Sequence, residues 1–138
     1  MRMLAVTCLL ALASCTTTPR DAARAAADAA ETQRELQAEL AGLVPGEPSD
    51  CLPLSLRTTV ASEVYGPTIV YTVTEGLKFR SETGGGCEPA ENGQSVIVTV
   101  TPTGRLCRGD IVRTVDRITG IPTGSCSFGP FVPYRKPS

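Results

Sequence analysis

The sequence predicts a mainly β protein: a small antiparallel barrel or sandwich with two disulfides, preceded by one N-terminal α-helix. Three observations carry this expectation. An alanine-rich stretch runs from residue 18 to residue 43 and closes on leucines spaced three and four apart. From Cys51 onward, apolar residues recur at every second position, the period of a half-buried strand. Cys51, Cys87, Cys107 and Cys126 form an even set within a short stretch, which reads as a disulfide framework if the chain is exported.

Export is written at the N-terminus. Met1-Arg2 supplies a positive start, residues 3–12 are almost wholly apolar, and Leu12-Ala13-Ser14-Cys15 follows at once. This is the layout of a secretory signal. The apolar run of about ten residues would rise only about 15 Å as a helix, half of what a membrane span needs. Leu12-Ala13-Ser14-Cys15 resembles the lipobox of bacterial lipoproteins. That resemblance implies cleavage before Cys15, a diacylglycerol on its thiol and a fatty acid such as palmitate on the new amine. It makes the membrane a partner through the lipid anchor. Thr16 stands where an aspartate would favour inner-membrane retention, so the expected address is the periplasmic face of the outer membrane of a Gram-negative bacterium.

The expected organisation is a signal peptide over 1–14, a lipidated N-terminus and helical tether over 15–43, a hinge over 44–50, and a disulfide-tied β domain over 51–138. Without the signal, 12 basic residues face 14 acidic ones, a net charge of −2 that gives no reason to expect nucleic acid. Histidine is absent, which excludes Ser-His-Asp and Cys-His catalysis and every histidine metal site. The cysteine gaps are wide and lack a C-x-x-C pair, so zinc is not expected, nor any other metal or cofactor.

In the tether, Thr18 can cap the helix, Pro19 suits its first position and Asp21 stands where a capping-box acid would. Gly42 and Val44-Pro45-Gly46 supply the stop. Ala22, Ala26, Ala29, Gln33, Leu36, Leu40 and Leu43 trace a heptad seam about three repeats long. Alanine buries little and Gln33 interrupts the row, so a solitary spacer is favoured over a coiled coil and the protein is expected to be monomeric. Proline and glycine in 44–50 would decouple helix from domain, and a β domain cut at Ser49 is expected to keep its fold.

In the β domain, Leu56, Thr58 and Val60 alternate with Arg57 and Thr59. Ile69, Tyr71 and Val73 mark a strand that Glu75-Gly76 turns into Leu77–Ser81. Gly84-Gly85-Gly86 opens a loop around Cys87, and Val96, Val98 and Val100 share one strand face. Asp110 to Asp116 is the last clear strand. Residues 120–138, with four prolines and three glycines, are expected to run irregularly over the surface, pinned by Cys126. Of three connectivities, Cys51–Cys126 would hold that tail to the start of the domain. Cys87–Cys107 would tie the glycine loop to the strand beginning after Arg108-Gly109.

Cys51-Leu52, residues 68–73, Cys87, Leu106-Cys107-Arg108-Gly109-Asp110-Ile111 and Cys126-Ser127-Phe128-Gly129-Pro130-Phe131, with Pro133-Tyr134, are similar to a family of small exported bacterial proteins of uncharacterised activity. The resemblance covers about residues 51–134 and implies one cysteine and Gly-Pro-Phe framework, without catalytic residues.

Other motifs have plain structural readings. Arg108-Gly109-Asp110 is a turn, and the triple glycine lacks the companions of a phosphate loop. Glu88 and Glu91 read as solvated loop acids rather than a catalytic pair, and Tyr134-Arg135-Lys136 lacks the terminal lysine of a peptidoglycan-linked lipoprotein. The expected function is a non-enzymatic structural or interaction module of the envelope whose partner is an envelope protein or glycan. The alternative is an inhibitor of an envelope-attacking hydrolase such as lysozyme. An exposed groove with convergent polar groups would favour an enzyme; a flat apolar patch would favour binding.

Overall fold

The structure is a computed structural model that describes residues 17–53 and 60–138. Cys15 and the expected alternation at Leu56 and Thr58 lie outside the described residues. The helix α1 spans Pro19–Glu39. Its start follows from local chemistry: the Thr18 hydroxyl accepts from the Asp21 amide at 3.2 Å and donates to the Asp21 carboxylate at 2.6 Å, satisfying one orphan amide of the first turn. The helix stops at Glu39, four residues before the expected end at 43, and the chain turns away through Gly42.

Eight strands follow: β1 (Val44–Pro45), β2 (Ala61–Tyr65), β3 (Thr68–Thr74), β4 (Leu77–Glu82), β5 (Ser95–Val100), β6 (Ile111–Asp116), β7 (Pro122–Ser127) and β8 (Phe131–Arg135). They form two antiparallel sheets, ordered β1-β8-β4-β3-β2 and β5-β6-β7. The sheets do not close into a barrel. They enclose one core, a sandwich in which Ile69, Tyr71, Phe79 and Phe131 from the first sheet meet Val112 and Cys126 from the second. Phe128 joins Phe131 and Tyr71 at ring centroid distances of 5.2 and 6.0 Å, and all three are buried in this core.

The tail expected to be irregular is instead two strands. β7 pairs with β6, and β8 lies inside the first sheet between β1 and β4. Its prolines did not forbid this: Pro133 and Pro122 sit where the strand still pairs through its other groups, and Pro130 precedes β8. A tail built into both sheets needs no bridge to the start of the domain, and the expected connectivity is corrected accordingly. The disulfides are Cys51–Cys107 and Cys87–Cys126. Backbone bonds from Leu52 to Leu106 and from Arg108 to Asp50 set Cys51 opposite Cys107. The other pair follows from a close approach of backbones. A side chain on Gly86 would meet the Ser125 carbonyl at 2.1 Å, and one on Gly124 would meet the Gly86 carbonyl at 2.3 Å. Only glycine permits this contact, and it delivers Cys87 to Cys126.

The tether and hinge are also corrected. Leu36 and Leu40 are buried against Val70, with Tyr65 and Tyr134 packed around them. Lys78 pairs with the Glu39 carboxylate and donates to the Glu39 carbonyl at 2.8 Å. The Thr32 hydroxyl donates to Glu91 at 2.8 Å. Residues 44–50 do not decouple the parts: β1 pairs with β8, and Gly46 and Ser49 donate to the Pro133 and Phe131 carbonyls at 2.7 and 2.9 Å. The second half of α1 is therefore a layer of the fold, and a cut at Ser49 would remove a cover and an edge strand. Its first half, including Ala22, Ala26 and Ala29, remains exposed.

Candidate functional site

The residues singled out by motif are engaged in holding the fold. Glu88 accepts from the Gly86 amide at 2.8 Å, and Glu91 accepts from both Thr32 and the Gly66 amide. The Asp110 carboxylate accepts from the Cys107 amide at 2.8 Å, and Gly109 donates to Phe128 at 2.8 Å, which makes Arg108-Gly109-Asp110 the turn that launches β6. Tyr134 packs beside Leu36, Leu40 and Val70, and its hydroxyl accepts from Arg80 at 3.3 Å.

Between α1, β2 and the edge of β5 runs a groove of about 720 Å³ lined by Glu35, Glu39, Glu63 and Glu91, with Arg117 beside them. Three of these four carboxylates are partnered within the fold: Glu39 with Lys78, Glu91 with Thr32, and Glu63 with the Tyr65 hydroxyl at 2.7 Å. Burial raises the Tyr65 hydroxyl well above its ordinary value, and the bond to Glu63 and the charge of Glu39 add to this. Among the described residues, no group of acidic or cysteine side chains is arranged to hold a metal ion.

A different surface stands out on the second sheet. Ser95, Ile97 and Thr99 of β5 point toward the core side, so Val96, Val98 and Val100 point away from it. The register sets Val96 opposite Val115, Val98 opposite Arg113 and Val100 opposite Ile111. The result is an outward face of β-branched side chains around one arginine. Val98, Val100 and Ile111 are 43, 59 and 47 % exposed.

The β6–β7 hairpin lies at one end of this sheet. One Asp116 carboxylate oxygen accepts from the Thr119 amide at 2.7 Å, the Thr119 hydroxyl at 2.9 Å and the Ile118 amide at 3.0 Å. Those bonds, the Thr119 amide foremost, hold the Asp116 pKa below its ordinary value. Asp116 also donates to Ile121 and accepts from Gly120 through its backbone. The amides of the turn are thus all bonded, and it presents Ile118 at 95 % exposure and Ile121 at 62 %. Five of the six large apolar side chains most exposed among the described residues lie on this sheet and hairpin, the other being Val44. This segregation differs from the single scattered apolar residues of an ordinary surface.

Alternation showed that Val96, Val98 and Val100 share a face, but not that the face is the outer one. Ile118 left a signal: an isoleucine in Asp116-Arg117-Ile118-Thr119-Gly120, where turn chemistry favours polar residues. Comparison of the chain with family models, curated proteins and solved structures gave no match.

Proposed function

We propose that the protein is an outer-membrane-anchored interaction module of the bacterial envelope, held by lipid on Cys15 and binding a partner through the outer face of β5-β6-β7. The observation that carries the binding reading is the gathering of exposed valine and isoleucine on one ordered sheet and hairpin. Support for the anchor is the Leu12-Ala13-Ser14-Cys15 segment after an apolar run. The exposed first half of α1 would serve as a stalk of about 20 Å at the helical rise.

Two measurements test the two parts. Labelling with a fatty-acid analogue should mark the wild-type chain in outer-membrane fractions and fail on Cys15→Ala; an unlabelled wild type would overturn the anchor. Val98→Cys should react with a maleimide more slowly in isolated envelopes than after purification in detergent, while Glu75→Cys on the β3–β4 turn reacts equally in both. Equal rates at Val98→Cys would overturn the binding reading.

A further inference from the structure

We propose that the β5-β6-β7 face docks a folded protein that offers an apolar pocket to Ile118 and a carboxylate to Arg113. This rests on the reading of the chain as an interaction module and adds what the partner must be.

The deciding residue is Arg113. It lies on the outer face in the middle strand, opposite Val98 on one side and Ser125 on the other. Along β6 its same-face neighbours are Ile111 and Val115. Among the described residues it forms no ion pair. Arg113 therefore has apolar neighbours on three sides, Val98, Ile111 and Val115, and Ser125 on the fourth. Covering the face with another apolar surface would strip water from that charge and return nothing, a cost of several kcal/mol. The cover must bring an acceptor, and a carboxylate matches the planar fork of arginine best.

That requirement separates the occupants. A second copy joined face to face would bring another Arg113 and no acid, because the outward rows hold only valine, isoleucine, proline and serine besides the arginine. Asp116, at the end of β6, pairs with the buried Ser95 and so lies in the inward row, with one carboxylate oxygen held by the hairpin turn. The molecule's acids at Glu35, Glu39, Glu63 and Glu91 gather instead around α1 and β2. A bilayer laid on this face would draw Arg113 toward hydrocarbon together with its valine and isoleucine neighbours, and charge is expensive there. A folded protein can place a carboxylate within an apolar surface, as desolvated arginine hot spots require.

Ile118 sets the shape of the partner. It protrudes from a turn whose amides are hydrogen-bonded, so it needs little ordering on binding, and rigid anchors of this kind fill pockets rather than lie on flat surfaces. A concave apolar site near an acid is the complementary surface.

The test places the photocrosslinker p-benzoylphenylalanine at Val98 or Ser125, the two positions flanking Arg113, in the full chain within living cells. Irradiation should yield the same protein adduct from both positions and none from Glu75. Ile118→Ser and Arg113→Glu should each lower the yield about tenfold, the change expected for roughly 1.4 kcal/mol of binding, while leaving thermal unfolding unchanged. Once mass spectrometry locates the crosslinked site, an Asp or Glu beside it changed to Arg should restore the adduct with Arg113→Glu. An adduct of twice the chain mass, a lipid adduct, or a yield indifferent to Arg113→Glu would overturn the proposal. Those outcomes would leave the slowed labelling of Val98→Cys standing, so the wider binding reading fails separately. No adduct at all, with Val98→Cys still protected, would point to a non-protein occupant and likewise overturn it.

Discussion

Both sheets carry apolar side chains on the face turned away from the shared core, but the two faces meet different fates. On the five-stranded sheet, Val70, Tyr65 and Tyr134 lie beneath Leu36 and Leu40 of α1. On the three-stranded sheet, Val98, Val100 and Ile111 lie beneath nothing among the described residues. Their charges differ in the same sense. Lys78 on the covered face is partnered by Glu39 of the helix, whereas Arg113 on the open face has no partner among the described residues. The covered face shows what completes such a surface in this molecule: leucines for the apolar rows and a carboxylate for the cation. The open face lacks both, and a binding partner would supply the same two things.

Removing the cover should have the largest effect. A chain beginning at Asp50 loses Leu36 and Leu40 as well as β1, at a cost of about 3–6 kcal/mol, taking roughly 1.5–3 for each buried leucine. Urea denaturation of the two chains measures it, and unchanged stability would mean that α1 is only a tether. Next is Leu36→Ala, which leaves the helix in place but opens a cavity over Val70; about 3 kcal/mol is expected by the same measurement. Ala26→Ser, on the exposed half of the same helix, should stay within about 0.5 kcal/mol.

Titration sharpens the contrast spectroscopically. Tyr65, beneath the helix, is raised by burial, by Glu63 and by Glu39 and Glu35 of α1. Because its folded-state pKa lies above the unfolded value near 10, its protonated form contributes stability that is present below about pH 10 and lost as pH rises further. Leu36→Asp should bring one tyrosine back toward its ordinary range in ultraviolet titration, while Tyr71, raised by burial in the core, stays high. A Tyr65 indifferent to this change would mean that helix docking does not govern its burial. The smallest effect belongs to the open face: Val98→Thr and Ile118→Ser should change stability by no more than about 0.5 kcal/mol, since neither fills the core. A large loss at Val98 would show the face to be covered in the free protein.

Legibility in the sequence followed the range of the interactions. Thr18-Pro19 and Asp21 mark the start of α1 because capping is settled within one turn. The alternation at Ile69, Tyr71 and Val73 marks β3 because a strand's period is local, and Glu75-Gly76 marks its hairpin for the same reason. The even cysteine set foretold two bridges but not their partners. Those depend on Leu52 meeting Leu106 and Gly86 meeting Ser125, contacts between segments roughly forty to fifty residues apart. Phe131–Arg135 escaped notice because Pro133 and the prolines and glycines of the surrounding tail read as irregular chain, and its strand state comes from β4, whose Phe79 pairs with Pro133. Composition and local chemistry thus determined the helix, the β class, the turns and the number of cross-links. The tertiary structure alone decided which cysteines pair, that the tail completes both sheets, that Leu36 and Leu40 face the protein's own β3, and that Val98 and Ile118 face outward. Each of those outcomes depends on which surface an element meets, and strand or helix periodicity defines two faces without specifying what lies against either.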